Sequence, residues 1–206
     1  MAAQQKMLTI GLTGPTGAGK GEVARILDVL GVPVLDADRI YHELLLPPSP
    51  CLDAIVAAFG TSVLAQDGTL LRPALRRIVF SDKSALATLN RISHRFVMEE
   101  VRARLAELEQ RGARAAVLDA PQLFEAGADA DCHAVIAVLA PTELRARRIM
   151  ERDRIDASTA ISRILAQKSD DFFRTHADTV IENTGDLEDL KKATLAAWKQ
   201  LTEGRL

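Results

Sequence analysis

Residues 7–24 read MLTIGLTGPTGAGKGEVA, an apolar run that passes directly into a glycine-rich turn. Within the turn, Gly14, Gly19 and Lys20 follow the order Gly-x-x-x-x-Gly-Lys, and apolar residues at helical spacing come next. Such a turn between a strand and a helix lets successive backbone N–H groups converge on phosphate oxygens, and the lysine adds a positive charge. The stretch predicts a phosphate-binding loop with the nucleotide contacts Gly14, Pro15, Thr16, Gly17, Ala18, Gly19, Lys20, Gly21 and Glu22.

The residue after Lys20 departs from the usual pattern, which has Ser or Thr where this chain has Gly21. A glycine N–H still donates to phosphate, so the backbone cradle survives the change. The side-chain hydroxyl that normally reaches Mg²⁺ is missing. We therefore expect water and nearby carboxylates to complete any magnesium shell. The plainer alternative, a glycine-rich turn beside a surface lysine, fits the strand-to-helix context poorly.

Composition and charge favour a globular α/β protein over a disulfide-rich, membrane or nucleic-acid-binding one. The chain has 206 residues, of which 48% are hydrophobic, and this is enough for one substantial α/β core with insertions. A net charge of −2 gives no global reason to expect nucleic acid or a membrane as partner. Cys51 and Cys132 form no paired motif, and neither MAAQQKM nor any later run resembles a signal or membrane segment. We expect a cytoplasmic monomer or small homo-oligomer.

Strand and helix patterns alternate along the chain, which predicts an α/β fold with a parallel sheet covered on both faces. A helix with one apolar face follows the loop over residues 21–30, and another closes the chain from about Leu187. The five predicted strands lie at 7–13, 32–35, 115–121, 134–140 and 177–183.

Two helical spans interrupt this alternation. Residues 40–114 form a predicted insertion in which Ser81 could cap one helix and another runs from Phe96 to Gln110. Residues 142–173 form a predicted hairpin of two helices, the second at 158–173. The predicted core therefore combines residues 1–39, 115–141 and 174–206.

Three aspartates stand at the predicted carboxyl ends of strands. Asp36 and Asp38 end the second strand, where alternation would point both to one side, and one carboxylate could orient an acceptor hydroxyl and take its proton. Capping of the next helix is the alternative for both. Asp119 ends the strand AVLD, the position from which a carboxylate holds Mg²⁺ in phosphate-loop enzymes, although a turn before Pro121 is also possible. The candidate metal ligands are Asp36, Asp38 and Asp119.

The helix predicted near 142–154 is rich in arginine. Arg145, Arg148 and Arg152 are spaced three and four residues apart and so share one face, as a lid that presents guanidinium groups to phosphate requires. Arg148 and Arg152 are the stronger candidates, and a solvated surface is the alternative. His94 belongs to no metal-binding pattern, so from residues alone it is structural or exposed.

Taken in order, these motifs resemble one family, the dephospho-coenzyme A kinases, over nearly the whole chain. The DAD that follows LGVPV, the DGTLLRPALRRIVF segment and the LDAPQLFE segment carry more of the resemblance than the loop alone. The matching segments are IGLTGPTGAGK at 10–20, LGVPVLDAD at 30–38, FG at 59–60, DGTLLRPALRRIVF at 67–80, ISH at 92–94, VLDAPQLFEAG at 117–127, RRIMERD at 147–153, AQ at 166–167 and ADTVIENTG at 177–185.

The resemblance implies a P-loop nucleotide-binding core, a helical acceptor domain over 40–114 and a lid over 142–173. It further implies phosphorylation of the 3′-hydroxyl of dephospho-CoA by ATP with Mg²⁺, the last step of CoA synthesis. Catalytic roles would then fall to Asp38, Lys20, Arg148 and Arg152, and Asn183 near Gly185 would join Arg148 in binding ATP. The implied acceptor contacts are Asp38, Arg72, Leu75, His94, Phe124 and Glu125.

Besides Gly21, the chain departs from the family pattern at Pro15-Thr16, at Gln122 and at Arg95. Gln122 and Arg95 bring polarity toward the implied acceptor pocket, so a related kinase with another nucleoside or small hydroxyl acceptor is an alternative. A non-catalytic ATP-binding module is a further alternative. It needs neither Asp38 nor the lid arginines, and their presence argues against it. No base-reading motif of GTPases occurs.

Overall fold

A computed structural model describes residues 6–204 and shows a five-stranded sheet with helices packed against it, which confirms the predicted α/β class. The sheet has the order β2-β3-β1-β4-β5, and the ladders that join β3, β1, β4 and β5 are parallel. The strands are β1 Leu8–Thr13, β2 Val34–Asp36, β3 Ala115–Asp119, β4 Ala134–Leu139 and β5 Thr179–Glu182.

The described residues form nine α-helices joined by turns and two short 3₁₀ segments. Their bounds are α1 Lys20–Val29, α2 Ala37–Glu43, α3 Pro50–Phe59, α4 Arg72–Ser81, α5 Lys83–Gln110, α6 Thr142–Asp153, α7 Ala157–Leu165, α8 Asp170–His176 and α9 Leu187–Thr202. Within residues 6–204, no helix has the length and apolar character needed to cross a membrane. The expectation for MAAQQKM falls mostly on residues 1–5, which lie outside this range.

The strands β1, β3 and β4 are buried along their whole length, as expected for parallel strands that read as unbroken apolar runs. Helices α1 and α9 complete this core with their apolar faces, which include Val23, Leu27, Leu190 and Leu201. Because β1 lies between β3 and β4, the chain leaves β1 toward one edge of the sheet and leaves β3 toward the other. Ligands of open α/β sheets bind outside the carboxyl ends of strands at such a reversal.

The chain divides into two compact units. One unit comprises the described residues up to Leu35 together with those from Leu108 onward, and it contains most of the sheet and the phosphate-binding loop. The other spans Asp36–Glu107 and has its own hydrophobic core, which includes Ile55, Val63 and Leu75. The predicted boundaries of the acceptor domain at 40–114 and of the lid at 142–173 stay predictions.

Helix α5 corrects the prediction of two separate helices in the insertion. It is one helix of 28 residues from Lys83 to Gln110, because no proline or glycine interrupts this stretch. Ser81 does not cap it, since its hydroxyl donates to the carbonyl oxygens of Arg77 at 2.9 Å and Ile78 at 3.0 Å. Asp82 lies at that end instead, and its carboxylate accepts from the N–H of Ser84 at 2.7 Å.

The segment after α6 also differs from the prediction, which placed one helix at 158–173. It forms α7 and α8, separated at residues 166–169. The side chain of Asp156 accepts from the N–H of Thr159 at 2.8 Å and caps α7. Ser169 caps α8, since its hydroxyl oxygen accepts from the N–H of Phe172 at 3.3 Å. Because Ser169 caps the residues that follow it, α8 begins there as a separate helix.

Candidate active site

The phosphate-binding loop lies between the end of β1 at Thr13 and the start of α1 at Lys20, which is the predicted strand–loop–helix context. Gly19 caps α1 in the left-handed region with φ of 99°. Gly17 has φ of 78°, and a Cβ atom added there would lie 2.8 Å from the Arg145 carbonyl oxygen. Only glycine fits both positions without strain, so the two glycines shape the loop.

Thr16, in the middle of the loop, is held through both of its backbone polar groups. Its carbonyl oxygen accepts from Nε of Arg145 at 3.0 Å, and its N–H donates to Oε1 of Gln167 at 2.9 Å. The Arg145 guanidinium also pairs with Asp170 through Nη1 at 3.1 Å. The side chain of Arg145 is 3% exposed, so it lies behind the loop and not on a solvated lid face.

The next two carbonyls of the loop are also bound by side chains. Nη1 of Arg148 lies 3.2 Å from the carbonyl oxygen of Gly17 and 3.3 Å from that of Ala18. Nδ2 of Asn183, which is buried just after β5, donates to the Ala18 carbonyl at 2.7 Å. Donors on the carbonyl side of a glycine-rich loop leave for an anion those N–H groups that are not already bonded, as that of Thr16 is to Gln167. Asn183 therefore supports the loop directly, and its predicted contact with ATP stays a prediction.

Lys20 forms an ion pair with Asp119, and both side chains are largely buried. Asp119 ends β3 and pairs in register with Leu12 of β1, so the parallel ladder brings it beside the loop. The lysine compensates the charge of a carboxylate that would otherwise be costly to bury. The structure thus brings together two predicted site residues that lie far apart in the sequence.

Magnesium is implied by the class of loop, and the residues present are compatible with it. Within residues 6–204 no three His, Cys, Asp or Glu side chains form a cluster that could hold a metal ion. Mg²⁺ needs no such cage, because it usually binds one or two carboxylates, substrate phosphates and water. Asp119 supplies a carboxylate at the loop, whereas Gly21 supplies no side-chain oxygen, and a Cβ atom added at Gly21 meets nothing within 4 Å.

Asp36 and Asp38 lie in different local structures. The strand β2 ends at Asp36, whose carboxylate accepts from the N–H of Arg39 at 3.0 Å and caps α2. Asp38 is already in the first turn of that helix and is exposed. The expectation that both end the strand is therefore wrong for Asp38, because the cap at Asp36 starts the helix at Ala37, one residue before Asp38. Their roles in catalysis and metal binding stay predictions.

The three arginines predicted to share a face have different environments. Burial lowers the pKa of Arg145, while Asp170 acts in the opposite direction. Burial also lowers the pKa of Arg148, helped by the charge of Arg147. Arg152 is 61% exposed and pairs with Asp153 at 2.7 Å, a hydrogen bond that raises its pKa. Arg145 is therefore a buried contact of the loop, which its helical spacing did not indicate, and Arg152 is an exposed side chain paired with Asp153.

Besides Asp38, three predicted acceptor residues lie in the second unit. Arg72 begins α4, with Nη1 3.4 Å from Nε2 of His42. Leu75 is buried in the core of that unit, and His94 is half-buried on α5. Their contacts with an acceptor stay predictions.

The remaining predicted site residues lie in the first unit. Phe124 belongs to an aromatic cluster, with its ring centroid 5.5 Å from that of Phe172 and 5.7 Å from that of His176. Glu125 is exposed beside it. Glu22, a predicted nucleotide contact, pairs with Arg25 at 2.5 Å, and this hydrogen bond lowers the pKa of Glu22. Their predicted ligand contacts also stay predictions.

A glycine-rich loop at a reversal in strand order, whose lysine meets the aspartate of the neighbouring strand, defines a P-loop nucleotide-binding protein. The family model described as dephospho-CoA kinase matches residues 8–189. The chain belongs to the dephospho-CoA kinase family, which confirms the resemblance, and it is a kinase.

Individual relatives agree with this assignment. The dephospho-CoA kinase of Moorella thermoacetica is 43% identical over 196 residues, which cover 95% of this chain and 92% of that protein. The crystal structure of a Thermus thermophilus protein is similar with a TM-score of 0.81 at 36% identity, and covers 95% of this chain and 98% of the other. A dephospho-CoA kinase from Campylobacter jejuni gives a TM-score of 0.71 at 25% identity, with 96% and 98% covered.

Proposed function

We propose that this chain transfers the terminal phosphate of ATP to the 3′-hydroxyl of the ribose of dephospho-CoA, which gives CoA. Membership of the dephospho-CoA kinase family over most of the chain is the observation that carries this proposal. The ion pair of Lys20 with Asp119 and the bound loop carbonyls support it, because they preserve the phosphate-binding machinery that a kinase requires.

In this proposal the loop residues 14–22 bind ATP, and backbone N–H groups of the loop, other than at Pro15, hold its phosphates. The ammonium group of Lys20 shifts from Asp119 toward the phosphates or is shared between them. Asp119 would hold Mg²⁺, with Asp36 and Asp38 as further candidate ligands. When bound, the metal ion would neutralise charge on the transferring phosphate. Gly21 leaves one position of the metal shell to water.

Asp38 is proposed to orient the acceptor hydroxyl and to accept its proton, and Arg148 or Arg152 to stabilise charge on the transferring phosphate. Arg148 would have to exchange its loop carbonyls for phosphate oxygens, whereas Arg152 would have to leave Asp153. Residues 40–114 would bind the acceptor and 142–173 would act as the lid. We further propose a cytoplasmic monomer or small homo-oligomer that has neither nucleic acid nor a membrane as partner.

A coupled assay with ATP and dephospho-CoA, with and without Mg²⁺, tests the proposal, and a panel of other nucleosides and small hydroxyl compounds tests acceptor choice. We expect Mg²⁺-dependent turnover with dephospho-CoA as the best acceptor. A better rate with another acceptor would support the related-kinase alternative that Gln122 and Arg95 suggest. ATP binding without turnover on any acceptor would support a non-catalytic module.

A further inference from the structure

We propose that Arg145 is a positioning residue for the phosphate-binding loop, because its buried guanidinium bridges the Thr16 carbonyl and the Asp170 carboxylate. The inference rests on the proposed function in one respect, since it takes ATP as the ligand that the loop holds. Arg145 touches neither phosphate nor acceptor in this role and acts only through the loop.

Both backbone contacts of Thr16 come from the segment that spans α6 to α8, whereas Asn183 holds the loop at Ala18. Arg145 on α6 donates to its carbonyl, and Gln167, just before α8, accepts from its N–H. Asp170, the first residue of α8, binds Nη1 of the same arginine at 3.1 Å. A single guanidinium therefore ties the loop, α6 and α8 together, which its planar fork of donors allows.

The burial of Arg145 is difficult to explain by folding stability alone. Its side chain is 3% exposed, and within residues 6–204 its buried Nη2 has no hydrogen-bond partner. A buried charge with an unsatisfied nitrogen costs free energy, and apolar replacements of buried ion pairs are often neutral or stabilising. The hydrogen bonds that Arg145 does form go to the Asp170 carboxylate and to the Thr16 carbonyl of the loop. We therefore infer that it is buried to hold the loop.

The effect on ligand binding follows from the geometry of such loops. Successive N–H groups converge on phosphate only while the intervening carbonyls point away. Arg145 holds the Thr16 carbonyl in that orientation, and the backbone of α6 packs directly against Gly17, the next residue. Without the guanidinium, this carbonyl can turn and the loop samples conformations in which fewer N–H groups face the ligand.

Equilibrium binding of ATP to the full chain, together with initial rates for both substrates, tests the role in Arg145→Ala and Arg145→Lys. We expect the alanine variant to raise the Kd and the KM for ATP about tenfold, since a hydrogen bond from a charged group is lost. The lysine variant keeps the positive charge but lacks the planar fork of donors. Its Kd and KM for ATP should therefore lie between those of the unaltered chain and those of the alanine variant. The KM for dephospho-CoA should stay within about twofold. Arg147→Ala, an exposed neighbour on α6, is the matched control.

An ATP Kd unchanged in Arg145→Ala would overturn the inference. So would a parallel loss of affinity for both substrates that tracks a lowered unfolding temperature, because this is the signature of general destabilisation. If the alanine variant does not fold, the Kd of Arg145→Lys decides by the same criterion. Failure of the unaltered chain to bind ATP would instead refute the proposed function, so the two failures are distinguishable.

Discussion

At the residue scale, the position after Lys20 determines how much of a magnesium shell the chain itself supplies. Gly21 lies in the first turn of α1, is exposed, and has open space where a Cβ atom would stand. Its φ is outside the left-handed region, so other residues fit there without backbone strain. Glycine at this point is therefore not required by packing, and the position can be substituted cleanly.

We predict that Gly21→Ser lowers the Mg²⁺ concentration needed for half-maximal rate, because it adds a hydroxyl ligand beside Lys20. Magnesium titrations at saturating ATP and dephospho-CoA measure the change. Gly21→Ala is the matched control, since it gives a similar gain in helix propensity, about 1 kcal/mol or less, without the oxygen. Identical magnesium titrations for the serine and alanine variants would contradict the prediction.

At the scale of elements, the segment from α6 to α8 is anchored to the loop at both ends. Arg145 and Arg148 bind the loop from α6, and Gln167 binds it from the turn before α8. The part between these anchors, which includes the end of α6 and all of α7, makes none of these contacts. If residues 142–173 close over ATP, we expect this middle part to move and the anchored ends to stay in place.

We predict that Ser169→Ala destabilises the protein by about 1 kcal/mol, because it removes the side-chain cap of α8. Denaturant unfolding measures the loss. It should also raise the KM for ATP modestly, since α8 begins with Asp170, the partner of Arg145. Ser162→Ala on the exposed face of α7 is the control. A variant as stable as the unaltered chain would show that the cap contributes nothing.

At the scale of the whole molecule, candidate catalytic residues are divided between the two compact units. The loop, Lys20 and Asp119 belong to the unit that contains most of the sheet, whereas Asp38 belongs to the unit from Asp36 to Glu107. Each unit has its own apolar core. Binding of ATP and activation of the acceptor should therefore be separable by mutation.

We predict that Asp38→Ala lowers kcat at least about a hundredfold, the usual range for loss of a general base, while the Kd for ATP stays within about twofold. Single-turnover rates and ATP titration of the same preparation measure the two effects. Asp53→Ala, which removes another exposed acid of the same unit, should change neither. Full turnover in Asp38→Ala would remove Asp38 from the mechanism.

The sequence by itself determined the α/β class, the phosphate-binding loop and the family, because these follow from local patterns. Apolar runs predict buried parallel strands, and glycines followed by lysine predict a loop whose backbone conformation is set within seven residues. Five strands and their order along the chain follow from the same short-range signals. The sequence also shows directly that Gly21 replaces the Ser or Thr whose hydroxyl would reach Mg²⁺.

Tertiary structure decided which side chains serve the loop. Helical spacing placed Arg145, Arg148 and Arg152 on one face. Packing gives them different environments: Arg145 is buried, Arg148 contacts loop carbonyls and Arg152 pairs with Asp153. Gln167 lies in the AQ segment that matches the family, yet no local pattern predicts its contact with the loop, because its partner Thr16 lies 151 residues away. Such contacts depend on how distant segments pack and satisfy buried polar groups, so a spacing rule within one helix does not contain them.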